Sequence, residues 1–114
     1  MITLELARDK STYVITCSFY DHTNSPFIPE TIKWSLVDGL GRVVNNREDV
    51  VAIPGTSINV VLWGDDLNAD LSKQGRVRQL IVRATYDAVI DGSLFLGLTL
   101  NDATRFEIEN LPVI

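Results

Sequence analysis

The sequence predicts an all-β fold, an antiparallel sandwich of about seven to nine short strands in a single domain over residues 1–114. Three observations carry that prediction. Ile32, Trp34 and Leu36 alternate with Thr31, Lys33 and Ser35, the period of two expected of a strand with one buried face. Clusters of turn-forming residues recur at roughly the 8–12-residue spacing of sandwich strands. No long segment carries a helical period. Trp34 stands at the centre of the first pattern. A buried tryptophan removes more apolar area from water than almost any other side chain, so the remaining strands are expected to pack over it.

Taken in order, Ile2, Leu4 and Leu6 alternate with Thr3, Glu5 and Ala7 and predict a first strand, closed by the polar turn Arg8-Asp9-Lys10-Ser11. Thr12 to Tyr20 is β-branched and aromatic and reads as a second strand, with Tyr13, Ile15, Cys17 and Phe19 on one face. Residues 21–26 are turn formers, and Pro26 and Pro29 keep the next stretch out of a central strand. The Trp34 strand ends at Asp38-Gly39-Leu40-Gly41, read as a hairpin turn with Arg42 to Asn46 returning as a short strand. Val50 to Ile53 is a further short strand, stopped by Pro54-Gly55. Thr56 to Trp63 is another, with Ile58, Val60 and Leu62 inward. Leu67 and Leu71 are spaced for one short helical turn, capped by Asp65 or Asp66. Arg78 to Asp87 is a long strand with Leu80, Val82, Ala84 and Tyr86 inward, followed by a turn at Asp91-Gly92. Ser93 to Leu100 alternates four leucines with smaller residues. A turn at Asn101-Asp102 then precedes a last strand from Ala103 to Asn110.

Hydrophobic content of 46% and charged content of 22% are ordinary for a globular domain. A formal net charge of −5 disfavours nucleic acid, whose binders usually show a basic patch. No apolar run reaches the ~18 residues that would span a bilayer, so no membrane partner is expected. Cys17 is the one cysteine, which excludes an internal disulfide framework. With no basic and apolar leader at Met1, synthesis in a reducing cytoplasm is expected.

No catalytic constellation stands out. Asp66-Leu67-Asn68-Ala69-Asp70 opens like a calcium loop, but Leu71 and Val77 occupy the places of its glycine and glutamate. His22 lies among turn formers, with no nucleophile elbow in the chain. Cys17 falls on an inward face, where it acts as a small apolar residue. Gly39-Leu40-Gly41 lacks the third glycine and the helix of a dinucleotide loop. Arg76, Arg78 and Arg83 read as a solvated face or a salt bridge to a partner. Glu107 and Glu109 share one outward face rather than flanking a cleft, as a glycosidase pair would. The expectation is therefore no enzyme, no cofactor and no metal.

The inward Trp34, the lone Cys17 one strand earlier and the Tyr86 strand resemble immunoglobulin-like and fibronectin type III-like sandwiches. Three phrases add to this. They are Ile32-Lys33-Trp34-Ser35-Leu36-Val37-Asp38 with Gly39, Val61-Leu62-Trp63-Gly64-Asp65-Asp66-Leu67, and Ala84-Thr85-Tyr86-Asp87 with residues 104–111. Together they resemble small immunoglobulin-like structural proteins of tailed bacteriophages, over roughly residues 10–111. The second cysteine of an antibody-type domain is absent. The resemblance implies a virion protein (decoration, neck, tail or baseplate component, or assembly factor) that binds other virion proteins and copies of itself. Aromatics at Tyr20, Phe27 and Trp63, as candidate platforms, suggest the alternative of a carbohydrate- or surface-binding module.

One stretch suggests where such binding occurs. Residues 88–100 form an apolar connection much longer than the 2–5 residues of a plain hairpin loop. Alternation puts Leu94, Leu96, Leu98 and Leu100 over one end of the core with Phe95 outward. Ile90, Leu94, Phe95 and Leu98 are the expected interface residues.

Overall fold

The computed structural model describes residues 6–8, 12–68 and 76–109. Seven strands lie among them: β1 (Leu6–Arg8), β2 (Tyr13–Ser18), β3 (Thr31–Asp38), β4 (Val50–Ala52), β5 (Ser57–Leu62), β6 (Val77–Ile90) and β7 (Ser93–Glu109). The fold is all-β. One sheet has the order β1-β7-β6-β3-β4, and the other pairs β2 with β5. Every pairing is antiparallel except β1 with β7, which is parallel.

The period-two pattern sets which face is buried. Ile32, Trp34 and Leu36 of β3 are buried, as are Leu80, Val82 and Ala84 of β6 and Phe106 and Ile108 of β7. Ile15 and Cys17 of β2, Phe19 just beyond it, and Val60 and Leu62 of β5 complete one cluster with Leu67. That cluster joins the inner faces of both sheets, so the smaller sheet serves as a lid on the larger. Trp34 lies directly opposite Val82 in the β3–β6 register, as expected of the central strand.

Several expected boundaries move. Arg42 to Asn46 is not a strand. Asp38 closes the turn by accepting the Leu40 and Arg42 N–H groups, and only Val43 bridges back to Val37. Asn45 and Asn46 then take left-handed φ values of 53° and 57°, which swing the chain out of the ladder. The short helical turn is a 3₁₀ segment at Gly64–Leu67, with Trp63 in the capping position. Asp66 assists from inside the turn, its carboxylate accepting the Trp63 N–H at 3.2 Å. Asn101-Asp102 is not a turn. Both residues pair in register with Arg83 and Val82, and the Asp102 carboxylate takes up the Ala103 N–H at 2.8 Å, so β7 runs unbroken. Of the polar turn expected at residues 8–11, Arg8 belongs to β1; positions 1–5, 9–11, 69–75 and 110–114 lie outside the described residues.

Candidate interaction site

β6 and β7 form one long hairpin closed by Asp91-Gly92. Both turn residues have positive φ, 51° and 78°, the signature of a type I′ turn whose twist matches its strands. The expected long connection over residues 88–100 is thus the far half of this hairpin. The last β3 pair, Thr31 with Thr85, marks where the sheet ends. Beyond it, β6 and β7 continue as a two-stranded arm from Tyr86 to Leu98. Fourteen residues of β6 reach about 45 Å at strand rise, so the hairpin sets the long axis of a molecule measuring 62 × 22 × 20 Å. Phe27 buttresses the arm at its base, meeting Tyr86 edge-on at 5.0 Å.

A bulge alters the expected faces. Tyr86 pairs with Leu98 but Ala88 pairs with Phe95, which leaves β7 one residue longer than β6 at this point. Gly97 absorbs the extra residue at φ 67°, and the Asp87 carboxylate accepts its N–H at 2.9 Å. Leu94 and Leu96 therefore do not share a face with Leu98 and Leu100. Leu94 and Leu96 join Val89 on the outer face of the sheet. Phe95 joins Ile90 and Leu98 on the face continuous with the core. Val89, Leu94, Phe95 and Leu96 are 63%, 65%, 45% and 72% exposed. Ile90 and Leu98 are half-buried. All four residues expected at an interface sit on the arm, and Val89 and Leu96, missed from the sequence, belong with them.

The outer face below the arm has a different character. Cross-strand register places Val51, Lys33, Arg83 and Asn101 in one row and Thr31, Thr85 and Thr99 in the next. Thr31 and Thr85 share a 2.6 Å hydrogen bond between hydroxyls. Lys33, Arg83, Asn101 and the three threonines, with Asp49 and Ala84, line a shallow depression. Lys33 and Arg83 are directly opposed like charges, an arrangement that repels rather than stabilises the pair.

At the far end of the molecule lies a buried polar centre. Asp66 is 0% exposed. Its carboxylate accepts from Arg47 Nε at 2.9 Å, Arg47 Nη2 at 3.3 Å and Asn45 Nδ2 at 2.9 Å. Burial acts to raise its pKa, but these hydrogen bonds, the Trp63 N–H and the Arg47 charge outweigh it and hold the carboxyl below the usual range. The Arg47 guanidinium lies 5.1 Å from the Trp63 ring centroid and 5.9 Å from that of Trp34. Arg78, expected at a solvated strand start, is only 4% exposed and donates to the carbonyls of Asp66, Asn68 and Val77. The centre clamps three chain segments; every Asp66 oxygen faces a protein donor, so it holds structure rather than substrate.

The other candidates are scattered. His22 and Arg76 are exposed, and Glu107 faces solvent, while the Glu109 side chain and Asp70 lie outside the described residues. Cys17 is fully buried, and burial pushes its thiol up to about 11. Trp63 follows the Leu62 end of β5, and Tyr20 follows the opposite, Ser18, end of β2. They do not form one aromatic platform. Among the described residues no group of three or more acidic, histidine or cysteine side chains is placed to hold a metal ion. No helix there is long and apolar enough to cross a membrane. Comparison with known proteins gives no match to a family model, a curated protein or a solved structure.

Proposed function

We propose that this chain is a non-enzymatic structural or assembly protein of a tailed-bacteriophage virion, an immunoglobulin-like sandwich that presents the β6–β7 arm to other subunits. The sheet order supports the immunoglobulin-like reading. On this reading β2 and β5, paired in the smaller sheet, correspond to strands B and E, and β3, β6 and β7, adjacent in the larger, correspond to C, F and G. Trp34 then occupies the core position of strand C, and the arm is an extended F–G hairpin.

The observation that carries the functional reading is the arm's exposure of apolar side chains on both faces. A monomer rarely leaves such a surface in water, and a ribbon projecting past its own sheet has no core of its own to bury it. A second subunit provides that burial. Contact, copy number and symmetry then do the work, with no chemistry at the site. The partners are other virion proteins and further copies of this chain, and its place is the virion after synthesis in the host cytoplasm.

Sedimentation velocity of the wild type and of Phe95→Ser tests this, alongside particle incorporation of each. The expected outcome is weaker association and poor incorporation of Phe95→Ser with an unchanged fold. Equal monomers that enter particles equally well overturn the proposal.

A further inference from the structure

The arm and the face beneath it differ in charge as well as in polarity. Between Arg83 and Arg105 the chain has no lysine or arginine, and the arm carries Asp87 and Asp91. Asp91 stands at the tip in the turn, and Asp87 stands on the outer face among Val89, Leu94 and Leu96. The lower outer face presents the reverse: Lys33 and Arg83 side by side, in a chain of net charge −5. Among the described residues neither cation enters a hydrogen bond or ion pair, and the one carboxylate lining the depression with them is Asp49. Val51, 75% exposed, adjoins Lys33 in the same row and gives the depression an apolar flank.

We infer that the arm of one copy lies on the Val51–Lys33–Arg83 face of a second copy. This rests on the reading of the arm as a docking element and names its partner surface. The aspartates of the arm add to Asp49, which lines the same depression, in offsetting the Lys33–Arg83 repulsion. Val89, Leu94 and Leu96 cover Val51 and the aliphatic stems of the two cations, whose charged heads reach past them. Opposite charges set the register of the contact, while apolar burial supplies its stability. The complementarity lies between two different patches of one sequence, so each copy carries both halves of the contact.

The test uses two variants of the full chain, each confined to exposed positions. The face variant is Lys33→Glu with Arg83→Glu, backed by Lys33→Gln with Arg83→Gln should the reversal perturb folding. The arm variant is Val89→Ser with Asp91→Asn, since asparagine keeps the left-handed turn position. Far-ultraviolet circular dichroism and melting confirm the fold, and sedimentation velocity reads association. The wild type is expected to self-associate, more weakly as salt rises and screens the charges. Each variant alone is expected to associate about tenfold more weakly or worse. An equimolar mixture is expected to recover a two-chain complex, because one variant retains a working arm and the other a working face. A mixture that stays monomeric, or a face variant that associates like the wild type, overturns the inference. A monomeric wild type overturns it too. If Phe95→Ser then still fails to enter particles, the arm is a docking element and another virion protein holds it.

Discussion

Asp66 shows how much one residue can organise. It draws Asn45 and Arg47 from the loop after β3, takes the Trp63 N–H and, through its own carbonyl, receives Arg78. Removing one partner of a buried ion pair typically costs about 3–5 kcal/mol, because the other charge stays behind without compensation. Asp66→Ala is expected to lose stability in that range in urea unfolding. The pH dependence follows from the direction of its shift. The folded carboxyl is depressed, so its stabilisation is complete above the unfolded aspartate pKa of about 3.9 and disappears as pH falls through the lower folded value. The Asp38 carboxyl, for which burial is outweighed by hydrogen bonds from Arg42 and Leu40, acts with the same sign. Wild-type stability should fall steeply in acid below about pH 4, and Asp66→Ala should flatten that limb. A capping role for Asp65 or Asp66 was legible in the sequence, but the ion pair and the burial were not. The partners come from segments 19 and 12 residues away, and alternation along a strand says nothing about which cation a distant carboxylate will draw inside.

At the scale of the element, the inward faces of β2, β3, β5 and β6 were readable because residues alternate regularly and the backbone follows. The arm was not fully readable for the same reason. Leu94-Phe95-Leu96-Gly97-Leu98 looks uninterrupted in alternation, yet the bulge at Gly97 moves Leu94 and Leu98 to opposite faces. Glycine was the available hint, since an isolated glycine in a strand often marks a bulge. The Asn101-Asp102 pair misled in the other direction: a partner strand was at hand, and pairing overrode local turn preference. A Cβ at Gly97 meets nothing within 4 Å, so Gly97→Ala isolates the backbone term. The left-handed conformation at φ 67° should cost about 1–2 kcal/mol with an alanine there. The loss should appear in amide exchange confined to the arm, with the melting of the sheet little changed.

At the scale of the whole molecule, the chain divides its labour between a packed body and an arm that contributes little to it. The radius of gyration of 16.0 Å exceeds the roughly 13 Å expected of a compact chain this long. Excising residues 87–97 and joining Tyr86 to Leu98 through an Asn-Gly turn should leave the melting temperature within a few degrees, because the excised side chains are mostly solvated. The same excision should abolish particle incorporation if the arm is the docking element. Unchanged incorporation would place docking elsewhere.

The parallel pairing of β1 with β7 has a mechanical consequence. Leu6–Arg8 lies alongside Glu107–Glu109, running in the same direction. Tension applied just before Leu6 and just after Glu109 draws the two strands past each other along their length. Their backbone hydrogen bonds then carry the load together instead of opening one by one, as they would if the strands were peeled from an end. The ladder is short, but it lies in series with the buried strands behind it. Stretched along that line, the chain holds until the clasp gives way as a unit, and only afterwards does the load reach Phe106 and the core.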